Sequence, residues 1–125
     1  MDLKLTGKRA LVTAASRGLG YATALGLARE GTALATCSRD QARIQEAAWK
    51  IRAETGATVE ALVADVSSAE EAARLVAYTV TTLGGLDIVV HNAGGPPAGD
   101  FLSLTDAQWQ KAFDQNLMSL VRLVN

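Results

Sequence analysis

Short apolar runs alternate along the chain with longer segments whose apolar residues recur at helical spacing. The apolar runs lie at 9–14, 32–37, 58–64 and 86–91. They lack the apolar–polar alternation of a half-exposed strand, so they predict parallel β-strands that are covered on both faces. The remaining segments predict α-helices over 18–30, 40–55, 68–83 and 105–125.

Residues that begin and end helices stand at the boundaries of these segments. Ser68 is followed three residues later by Glu71, a spacing typical of a capping box, in which side chains bind free N–H groups of the first helical turn. Thr105 and Gln108 have the same spacing. Glycines follow the first three predicted helices, where the chain must turn: Gly31, Gly56 and Gly84-Gly85.

Strands and helices that alternate with short connections predict one α/β domain over 1–125. Right-handed crossovers then give a Rossmann-type open parallel sheet with helices on both faces and the strand order 3-2-1-4. Such a sheet binds its ligand at the carboxyl ends of strands 1 and 4, where the order reverses. The last predicted helix reaches Asn125 without a Gly, Pro or cap cluster, so we expect a domain truncated after its fourth helix.

Composition narrows the possible classes of function. The 125 residues include 12 Lys and Arg against 13 Asp and Glu, and 49% of them are hydrophobic. This balance gives no basic excess for nucleic acid, and no apolar run approaches the ~20 residues of a membrane span. The N-terminus is too short and polar for a signal peptide, so we expect a cytoplasmic protein without nucleic-acid or membrane partners. The single cysteine, Cys37, stands in an apolar run and is expected to be a buried thiol; no metal site is predicted.

A glycine-containing turn separates the first predicted strand from the first predicted helix: Thr13-Ala14-Ala15-Ser16-Arg17-Gly18-Leu19-Gly20. The N-terminus of a helix presents unpaired N–H groups and a partial positive charge, and both favour a phosphate. Gly18 and Gly20 leave room for a ligand and for the neighbouring strand. A purely structural turn that binds no ligand is the alternative interpretation.

Four elements of the chain resemble the short-chain dehydrogenase/reductase family. The turn from Thr13 to Gly20 is similar to its T-G-x-x-x-G-x-G element, and Asp65-Val66 is similar to its adenine-contacting pair. Asn92-Ala93-Gly94 resembles its N-N-A-G element beside the nicotinamide ribose, and Asn116 resembles the asparagine of its catalytic tetrad. The resemblance implies a nicotinamide dinucleotide, with the candidate cofactor-binding residues Thr13, Ala15, Ser16, Arg17, Gly18, Leu19, Gly20, Ser38, Arg39, Asp65, Val66, Asn92, Ala93 and Gly94. For Asp65, a cap before the third helix is an alternative role.

Two residues depart from the family pattern. Ala14 replaces the first glycine of the turn, and we expect a slightly displaced loop rather than a loss of binding. His91 stands where the family usually has the first asparagine of N-N-A-G. A hydrogen-bonded structural histidine is the simpler interpretation of His91, and a proton relay or substrate contact is the alternative.

The end of the second predicted strand favours NADP over NAD. An acidic residue there would hydrogen-bond the ribose 2′-OH and repel a 2′-phosphate, but this chain has Ser38 at that position. Arg39 follows, and Arg17 in the turn is expected to face the same ribose. Guanidinium groups bind phosphate with two parallel hydrogen bonds, so a 2′-phosphate site is predicted. Solvated surface arginines are the alternative.

The last predicted helix carries an apolar stripe at Trp109, Phe113, Leu117, Leu120 and Val124. We expect this stripe to be core. In the resembling family this helix also forms the main subunit contact, which implies a homodimer or homotetramer. The family resemblance further implies that Asn116 bends the helix, holds a water and links a catalytic lysine to solvent.

The expected activity is hydride transfer between NADP and a small carbonyl or alcohol substrate, similar to a 3-oxoacyl-carrier-protein reductase. The family uses a tyrosine four residues before a lysine to handle the substrate proton, together with a serine. Tyr21 and Tyr78 are followed at that spacing by Leu25 and Thr82, so these 125 residues alone are expected to be inactive. A cofactor-binding module or truncated pseudoenzyme without catalysis is the alternative function. A methyltransferase is disfavoured because no acid ends the second strand.

Overall fold

Strands and helices alternate in the order that the hydrophobic pattern predicts. The computed structural model describes residues 3–66, 68–92, 105–113 and 121. The strands are β1 (Arg9–Val12), β2 (Ala33–Ser38), β3 (Val59–Val63) and β4 (Ile88–Val90). The helices are α1 (Gly18–Arg29), α2 (Gln41–Thr55), α3 (Ala69–Leu83) and α4 (Asp106–Phe113). Three strands, β1, β3 and β4, are shorter than predicted.

The sheet has the order β3-β2-β1-β4, and each pairing is parallel. The order and the open parallel architecture are therefore confirmed. Val12 at the end of β1 lies beside Thr36 of β2 and Val90 of β4. Because the strands are parallel, the turns after β1, β2 and β4 meet at one edge of the sheet.

Helices cover both faces of the sheet, as predicted. One core cluster combines Val12 and Leu34 with Ala24 of α1 and Ile44 of α2. The cluster on the opposite face contains Leu11 and Cys37 from the sheet together with Ala72 and Leu75 of α3. The lack of apolar–polar alternation in β1 and β2 follows from this arrangement, because a sheet covered on both faces buries successive positions of its central strands.

The predicted capping boxes form to different extents. Thr105 N–H donates to Gln108 Oε1 (2.8 Å) and Gln108 N–H donates to Thr105 Oγ1 (3.2 Å), which completes the box at α4. Ser68 caps α3 by accepting from Glu71 N–H (3.4 Å), but the Glu71 carboxylate accepts from Asp65 N–H instead of closing the box. Ser68, not Asp65, is thus the N-cap of α3.

Two arginines cover the outer edge of β3. Leu34 N–H donates to Thr58 O, so the Thr58 carbonyl points toward β2. Successive carbonyls of a strand point to opposite edges, so those of Val59 and Val63 point away from β2. Arg52 of α2 donates to Val59 O (2.6 Å), and Arg74 of α3 donates to Val63 O (2.9 Å). The two helices come from opposite faces of the sheet, yet both contribute a side chain to the same strand edge.

An ion pair ties the amino ends of β1 and β4 together. Arg9 Nε lies 3.1 Å from Asp87 Oδ2, and Arg9 N–H donates to the same oxygen (3.0 Å). Asp87 N–H donates in turn to Arg9 O (2.8 Å). These hydrogen bonds from Arg9 lower the pKa of the Asp87 carboxyl below its ordinary value.

The apolar stripe of the last helix differs from its prediction where it is described. Trp109 and Phe113 are exposed, so the expectation that they are core is wrong for these two residues. The physical reason is that α1, α2 and α3 supply the helical side chains of both described core clusters, to which α4 adds none. Leu117, Leu120, Val124 and Asn116 lie outside the described residues. Within the described ranges, no helix combines the length and apolar character that a membrane crossing requires.

Candidate cofactor-binding site

The turn after β1 is fastened to the end of β4. Thr13 is fully buried, and its N–H donates to Val90 O (3.1 Å). The Thr13 hydroxyl donates to Asn92 O and accepts from Asn92 N–H, both at 2.7 Å. Thr13 therefore satisfies both backbone groups of Asn92 and fixes where the chain leaves β4.

The backbone leaves β1 at Ala14, which adopts a φ of 51°. Glycine adopts this left-handed conformation readily, and Ala14 adopts it despite its methyl group. Asn92 Nδ2 donates to Ala14 O (3.4 Å), which supports the turn from the β4 side. The expected displacement of the loop stays a prediction.

Gly20 lets α1 pass close to this turn. A Cβ at Gly20 would collide with the carbonyl oxygen of Ala14 and would lie 2.8 Å from Asn92 Nδ2. Gly18 is required for a different reason, because its φ is 62° although a Cβ there would meet no atom. Gly20 thus serves packing and Gly18 serves backbone conformation.

The N-terminus of α1 is not capped by a side chain. Its N-cap residue is Arg17, which makes no side-chain capping hydrogen bond. By contrast, α2 is capped by the Asp40 carboxylate and α3 by the Ser68 hydroxyl. The first N–H groups of α1 therefore keep their capacity to donate to an anion.

A cavity of about 410 Å³ opens at this end of the sheet. Its lining includes eight of the predicted cofactor-binding residues: Ser16, Arg17, Gly18, Ser38, Arg39, Asp65, Val66 and Asn92. The carboxyl ends of β1, β2, β3 and β4 all contribute, which is the convergence that the parallel topology predicts.

Four other predicted residues do not line the cavity. Thr13 and Gly20 brace the turn as described, and Ala15 is buried with its N–H donating to Cys37 O (3.1 Å). Leu19 projects into solvent from the first turn of α1. Their predicted contacts with a cofactor stay predictions, as do those of Ala93 and Gly94, which lie outside the described residues.

Among the described residues, three arginines line the cavity, and the sequence predicts two of them. Arg17 and Arg39 were predicted, and Arg43 joins them from the first turn of α2. Asp40 also lines the cavity and pairs with Arg43 across 3.6 Å. The i, i+3 spacing of Asp40 and Arg43 at the start of a predicted helix indicates that the two side chains can pair, but it does not show that the pair faces the cavity.

The Ser38 hydroxyl is engaged locally. It donates to Asp40 O (3.1 Å) and accepts from Asp40 N–H (3.0 Å). Its one proton is therefore donated to the backbone, which leaves the guanidinium groups as the side-chain donors that an anion would meet at this end of the cavity.

Burial governs the titration of Cys37 and His91. Burial raises the pKa of the Cys37 thiol to about 11, and the charge of Asp65 acts in the same direction. The prediction of a buried, unreactive thiol is consistent with this environment. Burial lowers the pKa of His91, which favours the neutral imidazole. Among the described residues, no cluster of three or more His, Cys, Asp or Glu is arranged to hold a metal ion.

The family model for short chain dehydrogenase matches residues 8–125. This chain belongs to the short-chain dehydrogenase/reductase family. The predicted family membership is thereby confirmed. The roles that the resemblance implies for Asp65-Val66, Asn92-Ala93-Gly94 and Asn116 stay predictions. The family comprises oxidoreductases that use nicotinamide cofactors.

Relatives of this short-chain dehydrogenase/reductase cover most of the chain. Dehydrogenase/reductase SDR family member 4 of Homo sapiens is 39% identical over 114 residues, which are 90% of this chain and 41% of that protein. The uncharacterized oxidoreductase YvrD of Bacillus subtilis (strain 168) is 34% identical over 122 residues, which are 98% of this chain and 45% of that protein. The chain thus spans less than half the length of these relatives.

Solved structures of the family superpose closely on this chain. L-sorbose reductase of Gluconobacter frateurii, complexed with NADPH and L-sorbose, gives a TM-score of 0.94 at 33% identity over 99% of this chain and 47% of its own. A short chain dehydrogenase of Burkholderia cenocepacia J2315, in complex with NADP, gives 0.89 at 34% identity over 96% of this chain and 49% of its own.

The residues of this short-chain dehydrogenase/reductase fit a dinucleotide. The open N-terminus of α1 suits a pyrophosphate, and Gly18 places no Cβ beside it. Val66 offers an apolar surface and Asp65 a carboxylate in the lining of the cavity. Together these features would hold the pyrophosphate, the adenine and the adenosine ribose within one cleft.

Proposed function

We propose that this protein is an NADP-dependent oxidoreductase that transfers a hydride between the nicotinamide and a small carbonyl or alcohol substrate. One observation carries the proposal: the uncapped N-terminus of α1 opens into a cavity that three arginines line. The pyrophosphate and a 2′-phosphate are both anionic, and the cavity offers one group of donors for each.

The end of β2 supports NADP over NAD. An acid at Ser38 would accept a hydrogen bond from the ribose 2′-OH of NAD, but a serine with a committed proton stands there. Arg39 follows it, and Arg17 faces the cavity from the turn after β1. The NADPH and NADP complexes of the structural relatives agree with this preference.

The cofactor, when bound, supplies or accepts the hydride. The chain's own residues bind and orient it: the first N–H groups of α1 hold the pyrophosphate, and Asp65 and Val66 hold the adenine. Asn92 fixes the turn after β1, and with Ala93 and Gly94 it is proposed to lie near the nicotinamide ribose. Asn116 is proposed as the catalytic residue of this chain, through the water and lysine that the family uses.

The remaining functional proposals concern the whole protein. We propose a substrate similar to a 3-oxoacyl group, a cytoplasmic location, and a homodimer or homotetramer formed through α4. The exposed Trp109 and Phe113 support the last of these, because a subunit contact would bury them. The 125 residues contain no tyrosine with a lysine four positions later, so they are proposed to bind the cofactor without turnover.

Titration with NADPH and NADH tests the cofactor proposal. Reduced nicotinamide fluoresces, so its enhancement on binding gives both dissociation constants for the purified chain. We expect tighter binding of NADPH, and we expect Arg39→Asp to lose most of that preference because the new carboxylate repels the 2′-phosphate. Equal affinities of the unaltered protein for the two cofactors would refute the proposal.

A cofactor-binding protein without catalysis is the alternative function. NADPH oxidation by the whole protein with a 3-oxoacyl thioester distinguishes the two. Turnover excludes the non-catalytic alternative. Cofactor binding without turnover of any carbonyl or alcohol tested would favour it.

A further inference from the structure

We propose that Arg43, held by Asp40, is a third guanidinium contact for the 2′-phosphate of the bound cofactor and so determines cofactor specificity. This inference rests on the proposed function. It concerns a residue of α2 that lies four positions beyond Arg39, and it gives a role to a carboxylate that would otherwise oppose NADP binding.

The Asp40 carboxylate holds Arg43 through both of its oxygens. Oδ1 accepts from the Arg43 backbone N–H (3.1 Å), which makes Asp40 the N-cap of α2. Oδ2 lies 3.6 Å from Arg43 Nε. One side chain therefore hydrogen-bonds the backbone of the arginine and forms an ion pair with its side chain.

This arrangement leaves the terminal amino groups of Arg43 for a ligand. Within the described residues, the Arg43 ion pair uses Nε, and the two amino groups at the end of the guanidinium can bind a phosphate with two parallel hydrogen bonds. Arg43 and Asp40 both line the cavity, beside Ser38 and Arg39. Because the Ser38 hydroxyl is committed to Asp40, an additional cationic donor is useful at this end of the cleft.

Asp40 could also act on a 2′-phosphate through its charge alone, and the two roles predict opposite changes in NADPH affinity when that charge is removed. A carboxylate in the lining of the cavity would repel a 2′-phosphate if it acted only through its charge. Removing that charge should then tighten NADPH binding. If Asp40 acts by positioning Arg43, removing the charge should weaken NADPH binding instead.

The first experiment replaces the arginine. We expect Arg43→Gln to raise the dissociation constant for NADPH by about fivefold and to change that for NADH by less than about twofold. The expected loss is smaller than that of a buried charge-assisted hydrogen bond because the Arg43 side chain is exposed to solvent. Lys50→Gln is the matched control. Lys50 lies on the same helix and pairs with Glu46, its side chain is 55% exposed against 59% for Arg43, and it does not line the cavity. We expect this control to change neither constant.

The second experiment replaces the carboxylate. Asn caps helices as well as Asp does, so Asp40→Asn should keep α2 folded, which the unfolding temperature checks. We expect about threefold weaker NADPH binding, a lower ratio of NADPH to NADH affinity, and no further weakening when Asp40→Asn is added to Arg43→Gln. Tighter NADPH binding by Asp40→Asn would overturn the positioning role.

The outcomes separate this inference from the proposed function. If the unaltered protein prefers NADPH but Arg43→Gln binds it equally well, the role of Arg43 is wrong and the proposed function stands. If the unaltered protein binds NADPH no better than NADH, both are wrong. A selective loss of NADPH affinity in Arg43→Gln, absent from Lys50→Gln, supports both.

Discussion

Replacing Gly20 by alanine should destabilise a helix that alanine ordinarily stabilises. In an exposed helical position, Gly→Ala contributes up to about 1 kcal/mol of stability, because alanine has the higher helix propensity. At Gly20 the added Cβ collides with the backbone of Ala14 and approaches Asn92 Nδ2 to 2.8 Å. Overpacking of this kind costs about 1–3 kcal/mol, which exceeds the gain in helix propensity, so we expect a net loss of up to about 2 kcal/mol.

Gly26 of the same helix provides the matched control. It is exposed, and a Cβ there would meet no atom within 4 Å, so Gly26→Ala should show the ordinary gain. Urea unfolding followed by far-UV circular dichroism should separate the two variants by about 1–2 M in midpoint. NADPH titration should show weaker binding for Gly20→Ala alone, because the displaced turn carries the N-terminus of α1. Coincident unfolding midpoints for the two variants would refute the packing role of Gly20.

Three further predictions test other parts of the molecule. Thr13→Val should cost about 1–3 kcal/mol in chemical denaturation, since it leaves both backbone groups of Asn92 without their partner, and Thr13→Ser should cost less. Cys37, whose thiol has a pKa of about 11, should react with iodoacetamide at pH 8 far more slowly in the native protein than in urea; equal rates would contradict its burial. Hydrogen bonds from Arg9 lower the pKa of Asp87, so this carboxylate stabilises the fold at pH values above the ordinary carboxyl pKa, and that stability is lost as the pH falls through the native pKa. Asp87→Asn should therefore flatten the fall in unfolding temperature on acidification. An unchanged slope would exclude the Arg9 pair as a source of the acid sensitivity.

The order of the strands could be predicted because few topologies join alternating strands and helices by right-handed crossovers. The cavity could be predicted for the same reason, since the carboxyl ends of parallel strands meet. Ser16, Arg17, Asp65 and Asn92 were placed in it by that reasoning together with the family resemblance.

Features that depend on side-chain placement could not be predicted. The spacing of Ser38 predicts a phosphate contact, but it does not show that the hydroxyl turns toward the backbone of Asp40. Arg43 has the pattern of any solvated arginine on a helix, and only the position of α2 beside β2 brings it to the cavity. The apolar stripe through Trp109 predicts a buried face, but the pattern does not show that α4 adds no side chain to the described core clusters.

Arg52 and Arg74 make the β3 edge of this sheet less able to pair with another strand than the β4 edge. Any strand that pairs along β3 must first displace Arg52 from Val59 O and Arg74 from Val63 O, and each displaced guanidinium loses its hydrogen bond. Strand addition to the described sheet is therefore directed to β4, at its opposite side. A polypeptide engineered to complement this chain by β-pairing, as in a split-protein reporter, should accordingly be designed against β4.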